Sequence, residues 1–327
     1  MGRVPPALAA IRVAVRRGLA DLPEGSLVLV ACSGGADSLA LAAGLAFVAP
    51  RHGWRAGAVV VDHGWTAGSA QHSASVRETC DGLGLAPVEG VTAHAPRREG
   101  PARDARRQAL TGAAVRLGAV TVLLGHTLDD QAETVLLRLA RGAGARALAG
   151  MAPWSGLFRR PLLGLPRCLT RDACREAGLS AWDDPANADP AFARVRVRRD
   201  GLPALVAALG PGVPLGLARS ADLLRLDNEA LDDLAADALR VASAGPDLRV
   251  DRLAALATAI RLRVLRRVAI EAGVPAGALA AGHLLAVDAL VTHWRGQGPV
   301  SLPDGWEASR RDGKIRLVHR RGPLAPG

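Results

Sequence analysis

The order of apolar runs along this chain predicts an α/β fold: a parallel sheet with helices on both faces, then a smaller C-terminal domain, mostly helical with a short β meander. Three observations carry that expectation. In the first half, four short β-rich runs alternate with amphipathic stretches of helical length, the pattern of strands buried on both faces. One of those runs leads into paired glycines, as where a strand turns tightly into a helix. From Asp222 the pattern becomes helical without interleaved strands.

The elements follow in order. Arg3, Arg12, Arg16 and Arg17 among Ala and Val have the composition of a transit peptide, but Ile11, Val15 and Leu19 sit at helical spacing and run into a strand. A structural first helix is therefore expected. Strands are expected at Leu27–Ala31, Ala58–Val61, Ala86–Val91 and Val120–Leu124, and helices near Ser38–Val48, Ser69–Leu83, Ala102–Leu117 and Asp129–Ala140. In such sheets ligands lie at the carboxyl ends of the strands, so chemistry belongs in the loops after Ala31, Val61, Val91 and Leu124. Gly142 to Gly212 is richer in Gly, Pro and Arg and reads as loops and short helices over that end of the sheet. Helices follow over Asp222–Arg240, with Leu223, Leu224, Leu231, Leu234 and Leu239 on one side, then over Asp251–Ala272 and Gly277–Trp294. Pro299–His319 breaks at Pro303-Asp304-Gly305 and at Asp312-Gly313, as a meander does. The domain boundary is placed at Gly210-Pro211-Gly212, giving domains of residues 1–212 and 213–327.

Apolar residues make up 49% of the chain, ample for a buried core. There are 41 basic against 31 acidic side chains, a net charge of +10, and the one lysine is Lys314. A GC-rich genome accounts for arginine in place of lysine but not for the excess of positive charge. That excess favours a polyanionic partner, RNA or DNA, over a small neutral one. Cys32, Cys80, Cys168 and Cys174 contain no C-x-x-C spacing, which argues against a zinc, iron–sulfur or dithiol site and against a disulfide framework. The longest apolar run, Leu39–Ala49, is short of the roughly 20 residues a membrane span needs, so a cytoplasmic protein without membrane attachment is expected.

Leu27–Ala31 leads into Cys32-Ser33-Gly34-Gly35-Ala36-Asp37-Ser38 and then an apolar helix. Paired glycines let backbone N–H groups close on an anion, and the helix N-terminus adds its partial positive charge. Ser33 and Ser38 can donate to phosphate oxygens. Asp37 would repel a phosphate directly, so its sensible role is to hold a Mg²⁺ that bridges pyrophosphate oxygens. The G-x-x-x-x-G-K-[ST] and G-x-G-x-x-G patterns are both absent. Ser-Gly-Gly alone would suit a capped turn equally well. The full S-G-G-x-D-S string between a buried strand and a helix resembles the PP-loop family of ATP pyrophosphatases, with an adenine nucleotide α-hydrolase-like fold. That resemblance implies ATP binding through Ser33, Gly34, Gly35, Ala36, Asp37 and Ser38, adenylation of a carbonyl, and release of pyrophosphate.

At the next strand end, Asp62-His63-Gly64 could contact the adenosine moiety, or Asp62 could close an Asx turn. After the fourth strand comes Gly125-His126-Thr127-Leu128-Asp129-Asp130-Gln131-Ala132-Glu133-Thr134. On a helix Asp129, Asp130 and Glu133 share a face near the N-terminus. Acids there complement the helix dipole; a histidine directly before them at a strand end points to function. Arg103 and Arg106 open a helix aimed at the same strand ends, where an arginine can neutralise charge on an α-phosphate.

Further along stand Arg160-Pro161-Leu162-Leu163, Trp182-Asp183-Asp184-Pro185-Ala186-Asn187 and Arg194-Val195-Arg196-Val197-Arg198. With H-x-x-D-D-x-x-E-T, these look like the tRNA(Ile)-lysidine synthetase family, in matching order over most of residues 27 to 200. That resemblance implies ATP and Mg²⁺ as requirements, and the CAU-anticodon isoleucine tRNA, free L-lysine and, in a homodimer, a second copy as partners. It further implies that Asp37 holds the metal and that His126 and Arg106 stabilise adenylation. Asp129, Asp130 and Glu133 would receive lysine or assist its deprotonation, and Arg194 or Arg198 would position ATP or the activated nucleotide. Arg107 stands where the family often has an aromatic; if that aromatic packs on a nucleotide, Arg107 must stack instead. The C-terminal domain would bind tRNA. Rival readings are a tRNA thiolase of the same superfamily, disfavoured by the missing cysteine pair, a non-catalytic nucleotide-binding regulator, and an amide-forming ligase on a small molecule.

Overall fold

The computed structural model describes residues 5–65, 68–94, 96, 99–183 and 189–320. It divides into two compact units, Met1–Arg225 and Leu226–Gly327. The division falls inside a helix, past the Gly210-Pro211-Gly212 stretch where sequence placed the boundary.

In the first unit, helix α1 (Pro6–Gly18) precedes strand β1 (Leu27–Ala31). Its Ile11 and Val15, with Leu19 just beyond, are fully buried, as their helical spacing predicts. The free amides of Ala7 and Leu8 at its start are capped by the Glu176 carboxylate, at 3.2 and 2.8 Å. Then come α2 (Ala36–Val48), β2 (Arg55–Asp62), α3 (Ser69–Gly82), β3 (Val88–Thr92), α4 (Glu99–Leu117), β4 (Thr121–Leu123) and α5 (Leu128–Leu139). All four expected strands and their helices are present. The Gly142–Gly212 stretch holds α6 (Ala145–Leu148), β5 (Trp154–Ser155), β6 (Phe158–Arg159), α7 (Arg167–Glu176), α8 (Ala193–Arg196), a π-helical turn at Val197–Gly201, and α9 (Leu202–Leu209). Two of these elements correct the sequence reading, because β5 and β6 join the sheet. At two residues each they are too short to show any periodicity.

The sheet order is β3-β2-β1-β4-β6-β5, parallel except for the β5–β6 hairpin. From β1 the chain winds outward through β2 and β3, then returns to place β4 on the other side of β1. The strand order thus reverses between β1 and β4, the switch point outside whose carboxyl ends such sheets bind ligands. Val28, Leu29 and Val30 of β1 are fully buried, as a central strand covered on both faces requires.

Helix α10 (Val213–Ala242) runs through the division. Its buried positions are Ala218, Ala221, Asn228, Ala235 and Ala242, the last four at seven-residue intervals, whereas Leu223 and Leu234 are 58% and 55% exposed. Small residues therefore form the packed stripe, contrary to the expected leucine face. In the second unit β7 (Ser243–Ala244), β8 (Asp247–Arg249), α11 (Val250–Ala254), α12 (Thr258–Ala272), α13 (Ala281–Thr292), β9 (Val300–Ser301), β10 (Trp306–Arg311) and β11 (Lys314–His319) follow. The expected Asp251–Ala272 helix is two helices. The meander is wider than expected, a five-stranded sheet of order β7-β8-β11-β10-β9. Within this unit Arg261 and Asp288 form a buried ion pair, Nε to Oδ1 at 2.5 Å. Among the described residues no single helix is long and apolar enough to cross a membrane.

Leu45 of α2 is fully buried against the α1 side of the core. Leu45→Ala should cost ~2–5 kcal/mol in a urea titration, through lost transfer energy and the cavity left behind.

Candidate active site

The loop after β1 is built from its own hydroxyls. Ser38 donates to the Gly35 carbonyl at 2.9 Å and accepts the Ser33 amide at 3.1 Å. Ser38 is thus buried and shapes the loop, while Ser33 is exposed and its hydroxyl lies 3.3 Å from that of Ser38. Gly34 turns at φ +83, and a Cβ there would fall 2.7 Å from Val76 and 2.8 Å from His72. His72 Nε2 lies 3.1 Å from the Ser33 carbonyl, and the Trp182 amide donates to the Gly34 carbonyl at 2.9 Å. The two rings lie against each other, centroids 3.8 Å apart and tilted by 38°. With the carbonyls so held, the amides at the start of α2, from Gly35 to Asp37, form the anion-binding end of a thirteen-residue helix.

The loop after β4 comes up against it. A Cβ on Gly125 would lie 2.9 Å from the Asp37 carbonyl oxygen and 3.1 Å from the Ser38 amide, so only glycine lets the two strand ends approach this closely. Beyond Gly125, Thr127 and Asp130 cap α5: Asp130 Oδ2 accepts the Thr127 amide and hydroxyl, each at 2.9 Å. Glu133, one turn on, has no exposed surface. Three arginines surround it. Arg198 donates to Oε1 at 2.7 Å and to Oε2 at 3.1 Å, Arg194 to Oε2 at 3.2 Å, and Arg167 to Oε1 at 3.2 Å. Arg167 also reaches Asp130 Oδ1 at 2.8 Å, and its amide donates to Asp129 Oδ2 at 2.7 Å. Asp37 accepts the Thr170 hydroxyl on one oxygen and stands 3.6 Å from Arg167 Nε on the other.

Burial raises the Asp37 carboxyl above its ordinary value, reinforced by Asp130 and opposed by the Thr170 hydrogen bond and by Arg167 and Arg198. Asp130 is buried as well, but Arg167, His126, the Thr127 amide and Arg194 outweigh that burial and hold its carboxyl low. His126 is pushed down to about 3 by burial, with Arg106, Arg160 and Arg194 adding to the effect against Asp130. It is therefore neutral at physiological pH, and its buried Nδ1 has no hydrogen-bond partner. Burial, Arg103 and Arg194 lower the Arg106 guanidinium, whose side chain makes no hydrogen bond or ion pair with the described residues.

The structure thus brings together Ser33–Ser38, Arg106, His126, Asp129, Asp130, Glu133, Arg194 and Arg198. It leaves Asp62 in an Asx turn, accepting the Gly64 amide at 2.8 Å, while His63 stacks on Trp65 and faces the Ala93 carbonyl. Two expectations change. Glu133, expected to receive lysine or assist its deprotonation, is buried among arginines, and Arg107, expected to stack on a nucleotide in place of an aromatic, lies over the Phe158 ring, 4.5 Å from its centroid. Asp184 to Asn187 lie outside the described residues. Sequence reasoning missed Arg167, Thr170 and His72; Pro166 before Arg167, a helix-start signal, was the available clue to the first two. No group of three or more His, Cys, Asp or Glu suited to a metal occurs among the described residues.

A switch-point loop of this form on this sheet defines a PP-loop enzyme, and residues 11–205 match the family model described as a PP-loop domain. Residues 248–316 match the model described as a TilS substrate binding domain. The chain belongs to the tRNA(Ile)-lysidine synthase family. It is 53% identical to the tRNA(Ile)-lysidine synthase of Thermobifida fusca over 96% of this chain and 98% of that one. With the Salinispora arenicola enzyme it shares 54% over 97% and 98%, and with that of Streptomyces coelicolor 51% over 97% and 99%. A solved U34-tRNA thiolase from Methanococcus maripaludis, holding a [4Fe-4S] cluster, is similar in fold with a TM-score of 0.55 at 19% identity, covering 67% of this chain and 80% of that one.

Two outcomes follow. Gly125→Ala should drive apart Asp37 and the β4 end, lowering stability by ~1–3 kcal/mol in denaturant and activity with it. For His126 the unfolded chain takes up a proton near its ordinary value of 6.5 that the folded chain refuses down to about 3. Stability should therefore fall as pH drops through that window. His126→Gln should lose less stability than the parent between neutral pH and pH 4, as read by chemical unfolding at each pH.

Proposed function

We propose that this enzyme adenylates the C2 carbonyl of the wobble cytidine in a CAU-anticodon isoleucine tRNA and then joins free L-lysine to it, forming lysidine. The observation that carries the reading is the meeting, at one switch point, of an ATP-type phosphate loop with a helix that begins His126-x-x-Asp129-Asp130-x-x-Glu133. In the first step the cytidine oxygen attacks the α-phosphorus of ATP and the bond to pyrophosphate breaks. In the second an amino group of lysine attacks C2, AMP leaves with the oxygen, and the amine's proton passes to a base.

The residues divide the work. The amides at the start of α2 and the Ser33 hydroxyl hold the phosphates. Asp37 offers one hard oxygen donor beside them, which suits a magnesium ion that takes its remaining ligands from phosphates and water. When bound, that ion would offset charge on the departing pyrophosphate. Arg106, which makes no hydrogen bond or ion pair among the described residues, brings a guanidinium to the α-phosphate, where charge grows in the transition state. Neutral His126 can donate or accept a single hydrogen bond there without adding charge. Asp129, half-buried at the start of α5, is the carboxylate that an ammonium can reach, with the charge of the buried Asp130 behind it. Glu133 acts behind them by fixing Arg194 and Arg198, which face the activated nucleotide. Thiolase chemistry is disfavoured by the burial of the thiols near the loop: Cys32 and Cys80 contact one another out of solvent, Cys174 donates to the Ala36 carbonyl at 3.2 Å, and Cys168 is the exposed one.

Incubation with ATP, Mg²⁺, radiolabelled lysine and a CAU-bearing isoleucine tRNA transcript should place label at the wobble position. Pyrophosphate release with no lysine incorporated would instead mark a different PP-loop reaction. Arg106→Ala should slow pyrophosphate release ~100- to 1,000-fold while leaving the melting temperature nearly unchanged, since it breaks no internal hydrogen bond.

A further inference from the structure

Arg167 touches every carboxylate of the site. Its amide binds Asp129 and its Nη2 binds Asp130 at 2.8 Å. Both terminal nitrogens reach Glu133 Oε1, at 3.2 and 3.3 Å, and Nε stands 3.6 Å from Asp37 Oδ2. Arg194 and Arg198 pair with Glu133, and Arg198 also with Asp130, while Arg198 acts on Asp37 through its charge. Arg167 forms ion pairs with both the phosphate-loop carboxylate and the acids of α5. Thr170, one turn later on α7 and fully buried, grips the other oxygen of Asp37. Asp37 and Asp130 carry like charge in a low-dielectric crevice and repel one another without a cation between them. A planar guanidinium with donors on two sides is the group that can bind both at once.

We propose that Arg167, seconded by Thr170, is the positioning residue that sets Asp37 against Asp129, Asp130 and Glu133, and so holds the ATP-handling loop and the lysine-handling helix in one geometry. It acts through those carboxylates and not by touching phosphate. The proposal rests on the lysidine-forming reading for the second step only; pyrophosphate release tests it alone.

The test uses the full chain carrying Arg167→Ala, Arg167→Lys or Thr170→Val, with pyrophosphate release and lysine incorporation measured against ATP concentration and melting temperature recorded for each. Misplacement of reacting groups by about 1 Å costs roughly 100-fold, so Arg167→Ala should lose about that much kcat in both assays, with KM for ATP little changed. Arg167→Lys keeps the charge without the fork and should fall between. Added guanidinium ion should restore part of the Arg167→Ala rate, which it would not do for a merely unfolded enzyme. A raised KM for ATP with kcat intact would overturn the proposal in favour of direct phosphate binding, and an unchanged kcat would overturn it outright. If Arg167→Ala does not fold, Thr170→Val must still show the drop in kcat, and a parental rate in that variant would refute the proposal. Failure of the parent enzyme to form lysidine would instead defeat the functional reading.

Discussion

A carboxylate with no surface in water is tolerable only where cations replace its hydration, and Glu133 is such a carboxylate. Its cations arrive from three places: Arg167 from α7, Arg194 from α8 and Arg198 from the π-helical turn. The segment between α5 and α9 has few strands and little periodicity of its own. Charge, more than hydrophobic burial, fastens its later part to the sheet at this point. Asp37, Asp130 and Glu133 face the guanidiniums of Arg167, Arg194 and Arg198. Removing Glu133 would leave those cations short of their buried partner, which costs far more than the pairs contribute. The π-helical turn that carries Arg198 fits the tendency of such irregular turns to occur where a side chain must be aimed.

That arrangement divides the chemistry. Arg167, Arg194 and Arg198 are spent on the buried carboxylates, while the amides that open α2, the Arg106 guanidinium and the half-buried Asp129 are the groups that the proposed reaction draws on. A guanidinium in a crevice of this kind acts more strongly on a growing charge than it would in water, because little solvent is left to compete with it. The neutrality of His126 follows from its burial, which disfavours a charged imidazole. Arg106, Arg160 and Arg194 nearby repel a positive charge there and add to the effect.

Much of this was legible in the sequence. Leu27–Ala31, the glycine pair and the acidic start of α5 are each local signals, because a buried strand, a tight turn and a capped helix impose their own residue types. The carboxyl ends of the four expected strands were marked as the place for chemistry, whereas the switch point between β1 and β4 came only with the strand order of the structure. What was not legible depends on pairing across distance. Strands of two residues, such as Phe158–Arg159, carry no pattern, and their place beside β4 is set by the sheet edge they extend. The leucines of α10 suggested an apolar stripe, yet small residues pack there and Leu223 and Leu234 face outward. Arg167 was invisible as a site residue because it lies over thirty positions from its partners and only the fold brings them together. Glu133 was expected to meet the substrate, and burial makes it a counter-ion instead.

The account stands on Glu133 serving as the internal partner of arginines. A double-mutant cycle on folding stability with Glu133→Gln, Arg198→Met and the pair tests this most directly. Contacting charges in one buried network should show a coupling of ~0.5–3 kcal/mol, with the double variant less destabilised than the sum of the singles. Single-variant costs that add to within about 0.3–0.5 kcal/mol would contradict it, for they would mean that Glu133 and Arg198 do not depend on each other.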